Sequence, residues 1–160
     1  MNATAKKVFT IDDGISAYRA KVGNGTAMVY YVRGYSDFVR KSGQINPGTL
    51  DDDLRSITLG DFSKIDLRDL AKTHTLLGSA NSGFSDDDLF FRLQGENWSP
   101  EGEAKEWIRS LGLWHTSMSV GDLILRPDPE DDGRAIGYRY LVFVVAGIGF
   151  RCLGSVRLPR

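Results

Sequence analysis

One run of residues concentrates the side chains that could do chemistry: His115-Thr116-Ser117-Met118-Ser119-Val120-Gly121-Asp122. It brings an imidazole, three hydroxyls and a carboxylate within one short stretch. If the run is extended, side chains alternate, so His115, Ser117 and Ser119 share one face and Thr116, Met118 and Val120 the other. The first face then presents a base and two hydroxyls. Asp122, just after a glycine, is placed to accept hydrogen bonds from nearby backbone N–H groups. A second, purely architectural role fits the same residues: a tight turn into a strand, held by Asp122, with the hydroxyls satisfying backbone groups.

A nucleophilic triad of His115, Ser117 or Ser119, and Asp122 needs the serine in reach of the imidazole, the carboxylate on its far side, and an oxyanion hole. Residues two apart on a strand point the same way but do not stack as donor and acceptor, and no Gly-x-Ser-x-Gly elbow occurs. A small hydrolase centred on His115 is therefore a minor alternative. His74, flanked by threonines and followed by Leu76-Leu77, reads as a half-buried strand residue. Two isolated histidines and one cysteine offer no zinc spacing, and there is no phosphate-binding loop or dinucleotide fingerprint, so no metal or cofactor is expected.

Aromatic and basic residues interleave at Tyr30-Tyr31-Val32-Arg33 and Tyr138-Arg139-Tyr140. On a sheet, such residues can stack bases and contact phosphates. Arg139 and Tyr140 thus join His115, Thr116, Ser117, Ser119 and Asp122 as candidate binding residues, and nucleic acid becomes a possible partner. Charge is unevenly spread: residues 1–50 carry +4, residues 51–132 carry −10 and residues 133–160 carry +5. Basic ends sharing one face would meet an anion. No block of like charge is dense enough for a nucleic-acid arm, and basic ends folded against an acidic middle account for the same numbers.

The elements that must position these residues read as follows. The 160-residue length suits one domain, and 41% apolar with 26% charged residues excludes a disordered chain. A short strand is expected over Lys7 to Thr10, an amphipathic helix near Ile15 to Lys21, and a strand over Thr26 to Arg33 bounded by glycines. Residues 43–70 read as a long polar connection tolerant of insertions. A strand follows over Thr73 to Leu77, ended by Gly78. Ser85 with Asp88 makes a capping-box start for a helix burying Leu89, Phe90 and Leu93 and stopped by Gly95. Ser99 and Pro100 start the next helix, with Ala104, Trp107, Ile108 and Leu111 as its apolar stripe and Gly112 as its terminator. Trp98, Trp107 and Trp114 bracket it as core residues. Pro127 to Gly133 forms an exposed acidic turn, Tyr138 to Val145 a long strand, and Ile148, Phe150 and Cys152 alternate into the last strand, with a frayed tail from Arg157. The expectation is a single α+β domain over 1–160: an antiparallel sheet or partial barrel of about five strands with two or three helices.

No apolar run approaches the roughly 18 residues of a membrane span; the longest, Leu141 to Ile148, fits a buried strand. Lys6 and Lys7 are followed by no apolar segment of a secretory signal, and the lone Cys152 excludes an intramolecular disulfide. A cytoplasmic location is expected, with no membrane partner.

The stretch HTSMSVGDLI, followed after an acidic turn by YRYLVFVVAGIGFRCL, resembles the YodL-like family of small phage and plasmid proteins. The matching positions are His115, Ser117, Ser119, Val120, Gly121, Asp122, Tyr140, Gly149 and Phe150, and Asp88 to Gly112 resembles the helical part that leads into the motif. The resemblance covers about residues 71–153, leaving 1–70 unassigned. It implies a mobile-element setting and interference with host machinery or host defence, with a host protein as partner, and it implies no catalytic residues. A non-enzymatic binder is the leading expectation.

Overall fold

The computed structural model describes residues 10–11, 15–16, 26–34, 48–81 and 83–158. They form one α+β unit around an open, fully antiparallel sheet. In chain order the strands are β1 (Thr10–Ile11), β2 (Ile15–Ser16), β3 (Thr26–Val32), β4 (His74–Asn81), β5 (Leu123–Pro127), β6 (Tyr138–Val145) and β7 (Phe150–Leu158). Their order across the sheet is β1-β2-β4-β3-β5-β6-β7. Among the described residues three α-helices accompany them: α1 (Gly48–Thr58), α2 (Asp86–Arg92) and α3 (Lys105–Ser110).

The central strand shows why the sheet is covered on both sides. Its alternate residues Ala27, Val29 and Tyr31 pack with Leu89, Leu93, Trp98, Ile108 and Met118 from the α2–α3 side. Met28 and Val32 pack on the opposite face with Leu54 and Ile57 of α1 and with Tyr140, Val142 and Val144 of β6. Period-two alternation thus feeds two cores, and β3 and β5 read as near-continuous apolar runs because neither face meets water.

Two strands carry an extra residue beside a glycine. Val29 faces Gly78 while Tyr30 faces Leu76, leaving Leu77 as a bulge; Val142 faces Gly154 while Phe143 faces Cys152, leaving Leu153. Gly78 therefore does not end its strand: the backbone bulges there and pairing continues to Asn81.

The expected polar connection is the largest departure. Within 43–70, Gly48–Thr58 forms α1, and short 3-10 turns follow at Phe62–Lys64 and Leu70–Lys72. Leu54 and Ile57, one turn apart, anchor α1 on the sheet. Leu50, Leu54 and Ile57 do stand at helical spacing, but Asp51 to Asp53 and the flanking Gly48 and Gly60 resemble a loop, although acids near a helix N-terminus are favourable. The expected helix from Ile15 is also corrected: Ile15 and Ser16 pair with Ala80 and Ser79 as β2. Residues 17–21, the Lys7 to Phe9 part of the first expected strand, and the last two residues of the basic tail lie outside the described residues. Arg157 and Leu158 belong to β7.

The capping box is present: the Ser85 hydroxyl accepts from Asp88 N, and the Asp88 carboxylate accepts from Ser85 N. α3 starts later than Ser99 and Pro100 imply, at Lys105, because Ser99 to Ala104 closes as turns through Gly102 N to Ser99 O and Ala104 N to Asn97 O. Its end matches expectation. Gly112 sits at φ 72°, Gly112 N donates to Arg109 O and Leu113 N to Ile108 O, a paired closure that turns the chain back over the sheet. Trp98 is fully buried, Trp107 only partly, and Trp114 is 50% exposed, so the three tryptophans are not equivalent core residues.

This packing sets an order of costs. Trp98→Ala is expected to destabilise by about 3–5 kcal/mol, and Trp107→Ala by clearly less, about 1–3 kcal/mol. Denaturant unfolding monitored by circular dichroism measures both; equal losses would mean that the two indoles are buried alike.

Candidate functional site

The segment from Gly112 to Gly121 is a series of turns and bends, not the extended run that alternation assumes. What organises it is Asp122, whose side chain is 0% exposed at the head of β5. Its Oδ1 accepts from Val32 N at 2.8 Å and its Oδ2 from Ser119 N at 2.7 Å. His115 Nε2 donates to the same carboxylate, 2.8 Å from Oδ2 and 3.1 Å from Oδ1. The expected turn-holding role of Asp122 is thus present, together with an imidazole contact that alternation did not place there.

Gly121 makes the turn possible. It adopts φ 96°, and a Cβ there would lie 2.8 Å from Ile57 Cγ2 and 3.1 Å from Val32 Cγ2. Gly121 N donates to Val145 O and Val145 N to Asp122 O, which fastens the turn to the end of β6. Beneath it lies His74, buried at 2% exposure rather than half-buried as its flanks imply. His74 Nε2 donates to Gly121 O at 2.7 Å, so Nδ1 of the neutral ring is the acceptor for the Thr73 hydroxyl at 2.8 Å.

His115 lies on the opposite side of Asp122. Its ring stacks on Tyr31, with centroids 4.6 Å apart and planes 16° apart, and the Tyr31 hydroxyl donates to Thr116 O at 2.9 Å. The His115 side chain remains 29% exposed. With Nε2 committed to Asp122, Nδ1 has no hydrogen-bond partner among the described residues.

The electrostatics of the three rings differ. Burial pushes the His74 pKa down, which outweighs the carbonyl of Gly121 and the charge of Asp122. Burial also opposes a charge on His115, but the Asp122 charge and hydrogen bond overcome it and raise the His115 pKa. Burial and the Asp122 charge push the Tyr31 phenol well above its ordinary value, so it stays a neutral donor.

The hydroxyls expected to face outward are taken up by the backbone. Ser117 Oγ donates to Trp98 O at 2.8 Å and Ser119 Oγ to Ser117 O at 3.0 Å, while Thr116 is buried. The shared face of His115, Ser117 and Ser119 therefore does not form: the chain turns between them. Arg139 and Tyr140 lie elsewhere. Arg139 Nε donates to Asp128 Oδ2 at 2.6 Å, and Tyr140 is buried in the α1-side core. Tyr31 is likewise interior, so Tyr31 and Tyr140 are core residues and not parts of a stacking platform.

His115, Thr116, Ser117 and Ser119 do border one pocket of about 490 Å3, with Ile108 and Leu113 supplying apolar wall. Trp114, Arg109, Lys105 and Glu101 complete its character. The Trp114 indole lies directly against Gly34: a Cβ there would fall 1.8 Å from Trp114 Cδ1. Arg109 and Lys105 read as ordinary solvated helix residues; only the Schellman turn at Gly112, which brings Trp114 and His115 back beside α3, reveals them. Among the described residues no three His, Cys, Asp or Glu side chains come together to hold a metal ion, and no helix is long and apolar enough to cross a membrane. No family model, curated protein or solved structure matches the chain.

Two outcomes follow from the Asp122 network. Asp122→Ala strands the buried N–H of Val32 and the part-buried donors of Ser119 and His115, and is expected to cost about 2–4 kcal/mol in urea unfolding. A loss within experimental error would remove Asp122 from its structural role.

Stability should also depend on pH in two directions. The raised His115 pKa contributes stability that is complete below about pH 6.5, the unfolded value, and is lost as pH rises through the folded pKa. The depressed His74 pKa makes the unfolded chain bind the proton first, so stability falls as pH drops below about 6.5. Melting midpoints measured from pH 5 to 9 should show His115→Gln flattening the alkaline limb and His74→Gln the acid limb.

Proposed function

We propose that this is a non-enzymatic binding protein that engages a partner through the pocket walled by Trp114, His115 and Arg109. The observation that carries the reading is the division of labour around Asp122. The groups a hydrolase needs as nucleophiles, the Ser117 and Ser119 hydroxyls, each donate to a backbone carbonyl. A water-activating His115, oriented by Asp122 through Nε2, is the remaining enzymatic reading.

The resemblance of residues 71–153 to YodL-like proteins supports a mobile-element setting, a cytoplasmic location and a host protein as the partner, with interference in host machinery or defence as the outcome. Nucleic acid is the weaker partner. In the basic 133–160 segment, Arg134 pairs with Asp132, Arg139 with Asp128, Arg151 lies over the Phe62 ring and Arg157 donates to Gly137 O, which leaves few unpaired cations for a phosphate track.

Affinity capture from host lysate tests the reading. Trp114→Ala and Arg109→Glu should lose the captured protein at least tenfold while melting within a few degrees of the parent. Capture unchanged in both variants would overturn it. So would His115-dependent turnover of ester or phosphodiester substrates, or a DNA mobility shift that falls steeply with salt.

A further inference from the structure

The pocket's chemistry specifies what part of a partner it receives, granted the binding role proposed above. Its volume of about 490 Å3 holds one or two side chains, not a folded surface. Three cationic or cationisable groups line it: Lys105, Arg109 and His115. The one acid among the described lining residues, Glu101, is already bonded to Lys105 Nζ at 2.7 Å. Arg109 is exposed and makes no close ion pair among the described residues, although its charge also acts on Glu101. His115 presents Nδ1 while Asp122 grips Nε2. Among the described lining residues Lys105 and Arg109 against Glu101 sum to +1, and a protonated His115 brings the sum to +2. The available donors lie on Arg109 and His115.

The rest of the pocket is apolar. Ile108 and Leu113 line it, and the half-exposed Trp114 indole is held in place against Gly34. A guanidinium with an imidazole N–H matches a carboxylate in charge and donor number. A fixed indole beside aliphatic wall matches an apolar neighbour of that carboxylate. Glu101 within the same lining disfavours a dianion such as a phosphate group.

We infer that the pocket captures an acidic side chain flanked by an apolar residue, presented on an exposed peptide segment of a protein partner, with Arg109 and His115 holding the carboxylate and Trp114 the apolar neighbour.

The charged and titratable groups around His115 are Asp122 and Tyr31 behind it, His74 beyond Asp122, and Glu101, Lys105 and Arg109 in the pocket. Of these, His115 is the one whose charge changes in the direction that matters: losing its proton removes the Nδ1 donor. Capture of a carboxylate should then weaken as pH rises through the His115 pKa, and His115→Gln should abolish that dependence.

Titration calorimetry with capped Leu-Glu-Leu and Leu-Gln-Leu peptides, inorganic phosphate and adenosine monophosphate decides the matter. The expected result is at least tenfold tighter binding of the glutamate peptide than of its glutamine isostere, which is about 1.4 kcal/mol. That preference should vanish in Arg109→Gln and lose its pH dependence in His115→Gln. Equal affinity for the two peptides, no binding of either at millimolar concentration, or tighter binding of phosphate or the nucleotide would each overturn the assignment. The outcomes separate from those of the capture experiment. Capture lost in Trp114→Ala with no glutamate preference sinks this inference and leaves the binding role standing. Capture intact in Trp114→Ala and Arg109→Glu removes the binding role itself.

Discussion

Asp122 sits where three parts of the chain meet, and its carboxylate joins them. The end of β3 offers Val32 N, the turn before β5 offers Ser119 N, and the returning loop offers His115 Nε2. Each of these donors would be buried or half-buried without it, and an unmade buried hydrogen bond costs about as much as a lost one. A neutral amide in the same place could not accept from all three. The carboxylate also explains the two histidines: His115 lies against it and is drawn toward the charged form, whereas His74, behind the Gly121 carbonyl and deeper in the core, is held neutral.

The loop that carries the pocket is partly buried, with Leu113, Thr116, Met118 and Gly121 inside, and part of its polar composition follows from that. Loops ordinarily run on the surface because their backbone groups need water. Here Met118 is buried, its carbonyl accepts from Gln94 Nε2, and Met118 N donates to Leu93 O. Ser117 and Tyr31 satisfy the carbonyls of Trp98 and Thr116. The density of hydroxyls that makes the run resemble a catalytic motif is the density a segment needs when it crosses a core without joining a sheet.

Much of the fold is legible in the sequence because the strands obey a period of two between glycines and because the capping box and the αL glycine at 112 act locally. The α+β class, β3, β6, the α2 start and the α3 end are all of this kind. α1 is not legible because Asp51 to Asp53 and the flanking glycines resemble a loop and hide the helical spacing of Leu50, Leu54 and Ile57. The site is half legible. Asp122 as a turn holder can be read from Gly-Asp before an apolar run. The pairing of Asp122 with His115 across seven residues depends on the loop's turns, and the approach of His74 depends on strand pairing across the sheet, neither of which leaves a local signal. Tyr31 and Tyr140 lie in the core for one reason: on a sheet covered on both faces, an aromatic next to a basic residue points into a core as readily as out of it.

What the network consumes determines what the pocket has left. A loop pinned by Asp122, Gly121 and the Tyr31 hydroxyl loses little conformational entropy when a ligand arrives, so weak donors on it count for more than they would on a mobile segment. Among the described residues, the groups that face the pocket include His115 Nδ1, the Arg109 guanidinium and the Trp114 indole. All three lie on the short path from α3 through Gly112 to His115. That path is fixed at one end by the paired closure of α3 and at the other by the buried carboxylate. In the proposed binding role, recognition and folding meet at the His115 ring, whose Nε2 is held by Asp122 and whose Nδ1 has no hydrogen-bond partner among the described residues.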